Sequence, residues 1–314
     1  MQLNDNAQII IDHMLESFSA IRAGLTWVDG GGRLIDCGVE TLGGFAAGLD
    51  LARICLAGLG EVTIVPASLG DSVVPHVQVT TDAPVAACLA SQYAGWALKH
   101  EKFFAMGSGP MRAAAGREPI FEKIGLREHA TDVVGVLEGR KLPPAGIFVK
   151  IAEGCGVEPA NVTLLIAPTA SVAGGIQIVA RSVETALHKL AELGFDLNRI
   201  VAAHGIAPIP PVASNDLAAI GRTNDAILYG ARVRLLLRGD DAAIEEFGPK
   251  TPSCASPDHG EPFSVLFERY DRDFYKVDPL LFSPAAVTFE NIDTGKSFTY
   301  GEVEPAIVAR SFRS

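Results

Sequence analysis

Leu164-Leu-Ile-Ala-Pro-Thr-Ala-Ser-Val-Ala-Gly-Gly-Ile-Gln-Ile-Val-Ala-Arg-Ser-Val-Glu-Thr-Ala-Leu-His188 runs from the pattern of a buried strand, through a turn of small residues, into the pattern of an amphipathic helix. Apolar Ile176, Val179, Ala180, Val183, Leu187 and Leu190 recur at helical spacing, while Gln177, Arg181, Glu184 and His188 fall on one polar stripe. The periodicity predicts a single helix over 174–188 that carries Arg181 and Glu184 one turn apart.

Working outward, residues 4–21 read as a starting helix, with Asn4 or Asp5 as its cap and Ile9, Ile10, Met14 and Phe18 on its apolar face. Strands are predicted at 25–28, 34–37, 62–65, 77–80, 162–166 and 200–203, and 263–267 is strand-like. The run Gly30-Gly31-Gly32 joins the first two as a hairpin-like turn, because no helix pattern follows it as a phosphate loop would require. Strand-to-helix units in this number predict an α/β fold of mixed α and β. Pro143-Pro144 followed by Ala145-Gly146 is the clearest punctuation, placing an N-terminal α/β domain in 1–144 and a C-terminal one in 145–314, an approximate boundary that leaves room for interwoven segments. Residues 248–262, rich in Pro, Ser, Gly and Asp, read as a surface loop.

Composition narrows the function. The chain has 314 residues, nearly half of them apolar, and 37 acidic against 26 basic side chains give a net charge of -11. A large core is therefore available, and no Lys/Arg-rich run offers itself to nucleic acid. No apolar run reaches the ~20 residues that span a bilayer, and residues 1–12 lack a secretory pattern. Five widely spaced cysteines without a Cys-x-x-Cys pair point to reduced thiols in a cytoplasmic protein. Seven scattered histidines without ligand spacing argue against a zinc site.

Several segments combine glycine, proline and polar groups as a pocket would need. In Gly107-Ser108-Gly109-Pro110-Met111-Arg112, Ser108 and Arg112 are placed to bind an anion while the glycines let backbone amides point inward, although a structural turn is the simpler account of the same glycines. After His204 the chain reads Pro208-Ile-Pro-Pro211, a stiff wall, and then Arg222, Thr223, Asn224, Asp225 and Tyr229, hydrogen-bonding groups suited to a polar heterocycle. On spacing alone, Arg181 and Glu184 form an exposed ion pair of small energetic weight. The functional alternative makes Glu184 a general base for water, oriented or tuned by Arg181, with His188 and His204 as possible helpers. A serine nucleophile is disfavoured, since Gly-x-Ser-x-Gly is absent.

Taken together, Ile35-Asp36-Cys37-Gly38, Gly107-Ser108-Gly109-Pro110, Ala167-Pro168-Thr169 leading into Arg181-x-x-Glu184, Pro208-Ile209-Pro210-Pro211 and Gly221-Arg-Thr-Asn-Asp-Ala-Ile-Leu-Tyr-Gly230 resemble the methenyltetrahydromethanopterin cyclohydrolases over nearly the whole chain. The resemblance implies two α/β domains with a ligand cleft between them and reversible hydrolysis of a cationic 5,10-methenyl pterin to its 5-formyl form. It implies catalysis by Glu184 and Arg181; the substrate contacts expected, from the segments they lie in, are Ser108, Gly109, Arg112, Gln177, Arg222, Thr223, Asn224, Asp225 and Tyr229. No metal or redox cofactor, no nucleic acid and no membrane partner is expected, and the assembly expected is a homo-oligomer, with a trimer as its form. A folate-type cyclohydrolase and a non-catalytic carrier of reduced pterin are the alternatives.

Overall fold

Strand and helix alternate through two interleaved passes of the chain, of which the structure, a computed structural model, describes residues 2–271 and 276–313. Met1–Gly60 and Ala86–Gln177 form one unit; Glu61–Val85 and Ile178–Ser314 form the other. The division expected after Pro144 falls inside the first unit. Pro144 instead precedes helix Ala145–Cys155, where proline's missing N–H costs nothing because a helix start leaves its first N–H groups unpaired.

The first unit begins with α1 (Leu3–Glu16), α2 (Phe18–Ile21), β1 (Gly24–Trp27), β2 (Arg33–Asp36) and α3 (Phe45–Cys55). The single helix expected over 4–21 is interrupted at Ser17, whose N–H bonds back to Met14 O at 3.0 Å and tightens the last turn of α1. Gly30 and Gly31, at φ +95° and +91°, make the turn of the β1–β2 hairpin where it was predicted. The chain then supplies β3 (Glu61–Leu69) and β4 (Ser72–Thr81) to the second unit. It returns through a π-helical segment (Val85–Gln92), β5 (Trp96–His100), β6 (Phe103–Ser108), α4 (Met111–Ala115), α5 (Ile120–Ile124), β7 (Val133–Glu138), α6 (Ala145–Cys155), β8 (Val162–Ala167) and α7 (Val172–Val179).

The strand order is β1-β2-β8-β7-β6-β5, with β2, β8 and β7 parallel and the outer pairs antiparallel. All six residues of β8 are buried, which explains why all but Thr163 are apolar: both faces are covered. Alternation sorts the side chains. Ile35, Val134, Val136 and Leu165 pack with Ala7, Ile11, Leu51 and Ile54 of α1 and α3, whereas Leu34, Val133, Leu137, Leu164 and Ile166 pack with Ile147, Phe148 and Ile151 of α6.

The second unit continues with α8 (Ser182–Leu193), β9 (Ile200–Pro208), α9 (Asp216–Leu228), β10 (Arg232–Leu237), α10 (Ala242–Phe247), α11 (Phe263–Arg269), β11 (Ala286–Asn291), β12 (Lys296–Gly301) and α12 (Pro305–Arg313). Its sheet, ordered β12-β11-β10-β9-β4-β3, is antiparallel except for β10–β11. Two mixed six-stranded sheets with helices establish the α/β class.

Three local expectations are corrected. The helix over 174–188 is two helices, α7 and α8, broken at Ala180 and Arg181, just after the chain has passed from the first unit to the second within α7; the apolar spacing survives the break because Val179, Ala180 and Val183 are all fully buried. Residues 263–267 are helical. Phe263, Leu266 and Phe267 bury at i, i+3, i+4 with Leu228, Tyr229 and Val308, and a five-residue, mostly apolar run does not separate that spacing from a strand. The 248–262 segment is partly internal: Thr251 and Ser253 are fully buried, and Pro252 O accepts from the buried Lys189 Nζ at 3.0 Å. Desolvation there pulls the Lys189 ammonium down to about 8. Among the described residues no helix is long and apolar enough to cross a membrane.

Candidate active site

Arg181 is the residue on which α8 begins. Its φ and ψ of −86° and 9° are outside the helix, while its carbonyl accepts from Thr185 N at 2.9 Å and so closes the first turn. Glu184 therefore sits in that first turn, where unpaired backbone N–H groups carry partial positive charge and attract an anion. Arg181 and Glu184 are only 7 % and 4 % exposed. The solvated ion pair favoured on spacing alone is thereby excluded. Burying ionic side chains costs several kcal/mol each before compensation, which makes both of them candidates for a functional role. Gln177, placed on the same stripe by periodicity, belongs to α7 and the first unit, and is also buried.

The start of α8 rests on strand β9 at a point where no side chain fits. A Cβ added to Gly205 would lie 2.5 Å from Ser182 Oγ and 2.8 Å from Val183 Cγ2. Nothing in the sequence announces this contact, because a strand glycine facing a helix start has no signature of its own. His204 beside it is held below the ordinary imidazole range by burial and then by the Arg234 cation, which leaves a neutral ring at pH 7.

Most of the second predicted cluster is committed to the fold. On α9, Thr223 Oγ1 donates to Ala219 O at 2.9 Å and Asn224 Nδ2 to Ile220 O at 2.8 Å, both back-bonds within their own helix. Tyr229, 1 % exposed, donates to Glu261 O at 2.6 Å and accepts from Gly260 N at 3.1 Å; burial pushes its phenol up to about 12. Arg222 Nη1 donates to Pro211 O and Val212 O at 3.1 and 3.3 Å, anchoring the proline segment. It lines a cavity of about 500 Å³ with Asn215, Gly221, Ser264 and Glu268.

Asp225 is fully buried and accepts from Phe263 N at 2.8 Å, capping the start of α11. Desolvation raises its carboxyl to about 7 against the opposing pull of hydrogen bonds from Ser311 and Phe263 and of the Arg310 charge. Between the ordinary carboxylate value and about 7 the folded chain keeps this proton and the unfolded chain releases it, so stability falls as pH rises through that window. Asp225→Asn keeps the acceptor and removes the titration. Relative to wild type it is expected to gain about 2 kcal/mol in going from pH 5 to pH 7, since each pKa unit corresponds to ~1.4 kcal/mol. Urea unfolding at the two pH values checks this, and parallel curves for the two proteins would refute it.

In the first unit, Ser108 and Gln177 converge on Cys55: Ser108 Oγ lies 3.4 Å from Cys55 Sγ and donates to Val136 O at 3.2 Å, and Cys55 Sγ lies 4.0 Å from Gln177 Oε1. Gly109, at φ +91°, packs against the β7 backbone, 3.3 Å from its Val136 N in Cβ terms, and makes the turn into α4. Arg112 is fully buried, with a two-pronged bond to Glu118 at 2.8 and 2.6 Å and further bonds to Leu89 O and Ser91 O. Its fork is engaged by the protein, so the structural account of this turn holds for Arg112. One polar pair went unread in the sequence: Thr169 Oγ1 donates to Glu138 Oε1 at 2.5 Å, joining the ends of β8 and β7. A single Glu closing the run Val133–Leu137 was its only trace. Among the described residues no group of three or more His, Cys, Asp or Glu side chains is placed to hold a metal ion.

Comparison with known proteins gives the family. A family model described as Cyclohydrolase (MCH) matches residues 2–312. A methenyltetrahydromethanopterin cyclohydrolase of Rhodopirellula baltica is 47 % identical over 287 residues, covering 90 % of this chain and 86 % of its own. Proteins of the same name from Methylobacillus flagellatus and Methanococcoides burtonii are 42 % and 41 % identical, covering 99 % of this chain and 95 % and 98 % of their own.

Proposed function

The chain belongs to the cyclohydrolase (MCH) family, and from that premise we propose that it catalyses reversible hydrolysis of 5,10-methenyltetrahydromethanopterin to the 5-formyl compound, with Glu184 as general base and Arg181 as its cationic partner. The observation that carries this reading is the burial of both side chains at the first turn of α8. The methenyl carbon lies between two nitrogens that share a positive charge and is already electrophilic, so the reaction needs a placed and deprotonated water more than a Lewis acid. Glu184 takes one proton as the water oxygen bonds to that carbon. The tetrahedral adduct then breaks its C–N10 bond, N10 receives the proton held by Glu184, and the hydroxyl proton leaves as the formyl C=O forms. Net, one water is consumed and one proton released. Arg181 stabilises the negative charge of Glu184 before attack and the oxygen during collapse.

No metal or redox cofactor takes part in this scheme. The protein is read as a cytoplasmic homo-oligomer, a trimer in form, and its five free thiols support a reducing compartment. Purified protein mixed with the methenyl substrate in the presence of EDTA tests the reading through the ultraviolet band of the methenyl group. Rapid enzyme-dependent loss of the band is expected; a bound but unchanged substrate would make the protein a carrier.

Gly205 offers a second check on where the chemistry sits. Gly205→Ala drives a methyl into Ser182 and displaces the turn bearing Glu184, and small misplacements of catalytic groups cost up to ~100-fold. A fall in kcat of about 10-fold to 100-fold with KM little changed is expected. Adding Ser182→Ala, which removes the nearest atom, should restore part of kcat. If Gly205→Ala melts the protein without lowering the kcat of the folded fraction, β9 does not position the base.

A further inference from the structure

Helix α8 carries Glu184 in its first turn, and within the second unit it is fixed at two places of different kind. At its start Ser182 and Val183 lie against Gly205 of β9. Ala203 and Ala207, which alternation puts on the same face of β9 as Gly205, are small and buried. Apolar contact has no preferred direction, so it sets how closely the helix lies on the sheet better than it sets the roll of the helix about its own axis. The second fixing point is Lys189. Its side chain is 2 % exposed, and its Nζ donates to Pro252 O at 3.0 Å, its one hydrogen bond to the described residues.

That carbonyl is itself held. Ala255 N donates to it at 3.1 Å, and the adjoining Ser253 is tied by its N–H to Pro284 O at 3.0 Å and by its hydroxyl to Leu228 O. Asp278, the carboxylate whose charge acts most strongly on the amine, is engaged elsewhere: Oδ2 accepts from Ser256 Oγ at 2.5 Å and Oδ1 from Leu280 N at 3.0 Å. A buried ammonium with one acceptor is poorly compensated, and an apolar side chain of similar volume would serve the stability of the fold as well or better. What lysine adds over such a side chain is a directed bond to a fixed point.

We propose that Lys189 is a positioning residue for the base: its bond to Pro252 O sets the roll of α8 and so aims Glu184. This rests on the cyclohydrolase reading above. Lys189 follows Glu184 on the same helix, about 7.5 Å along the axis and about 140° around it, so the two side chains point apart and the effect passes through the helix itself. A roll of ~10° carries a group ~6 Å from the axis by ~1 Å, and a misplacement of that size costs a reaction up to ~100-fold.

Three variants test the assignment with 5,10-methenyltetrahydromethanopterin as substrate. Lys189→Met is expected to lower kcat per folded molecule about 10-fold with KM within ~3-fold, while the melting temperature stays the same or rises. Lys189→Arg keeps a donor in reach of the same carbonyl and is expected to retain at least about a third of kcat. Ser253→Ala loosens the turn that carries the acceptor without touching α8; it is expected to lower kcat ~3-fold and serves as the test if Lys189→Met does not fold. Deuterium exchange over residues 178–188 reads the helix without any chemistry, and the turn closed by Thr185 N on Arg181 O is expected to exchange about 5-fold faster in Lys189→Met. A lysine with a structural role alone gives the reverse: a lower melting temperature with kcat of the folded fraction unchanged. That result overturns the proposal, as does a loss in Lys189→Met that Lys189→Arg fails to restore. The arms separate the two claims. A wild type without turnover, whose α8 nonetheless loosens in Lys189→Met, sinks the cyclohydrolase reading alone; turnover and exchange that are both untouched by Lys189→Met sink this one alone.

Discussion

Glu184→Gln is expected to lower kcat by about 100-fold to 10,000-fold, the range lost with a well-placed general base. Glutamine is nearly isosteric with glutamate, so the packing around a side chain only 4 % exposed is kept. It can still hold a water by hydrogen bonds but takes no proton from it at neutral pH. The loss therefore falls on the chemical step, and KM for the cationic substrate rises by a smaller factor reflecting the lost charge. Stopped-flow absorbance at the methenyl band gives kcat, and circular dichroism confirms the fold. A structural role for the pair makes the opposite forecast: removing one charge from a buried site lowers the melting temperature and leaves the turnover of the folded protein near normal. Near-normal turnover in Glu184→Gln would transfer the base function elsewhere, with the scheme for Arg181 falling as well.

How much of this was legible in sequence depended on whether the signal was periodic. Strand β8 and the apolar face of α7 and α8 were readable because burial on both faces of a strand and on one face of a helix leaves regular spacing. The break at Ala180 and Arg181 was not, since helical spacing continues across it. The interleaving of the units was equally hidden: Pro-Pro at 143–144 is strong punctuation, but it punctuates a helix start. For the site, residue identity located Arg181 and Glu184 without their environment. Polar side chains look alike in sequence whether they face a ligand or a neighbouring carbonyl, so Thr223, Asn224 and Tyr229 were grouped as ligand contacts although their hydrogen bonds run to Ala219, Ile220 and Glu261. Glu138 was passed over for the converse reason. One acidic residue after five apolar ones carries no pattern, and its partner Thr169 lies in the turn after the adjacent strand.

Arg112 supplies the strongest stability forecast, and one that separates a ligand-binding from a structural arginine. Its guanidinium is fully buried, lies 5.0 and 5.3 Å from the ring centres of Tyr93 and Phe121, and donates to Glu118, Leu89 O and Ser91 O. It thus ties α4 to the end of the π-helical segment and to the turn before α5. Arg112→Met fills similar volume but leaves Glu118, 17 % exposed, without its partner and two carbonyls without donors. Breaking one side of a buried ion pair costs about 3–5 kcal/mol, whereas replacing both sides with apolar groups is often close to neutral. Arg112→Met is therefore expected to lose about that much in urea unfolding, and Arg112→Met with Glu118→Leu to recover a substantial part. Arg112→Lys should fall between, because an ammonium retains the charge without the planar fork. Across the series the KM of the folded fraction should stay constant. The reverse result, native stability in Arg112→Met with a markedly higher KM, would return Arg112 to the substrate and require the fork seen on Glu118 to open when ligand binds.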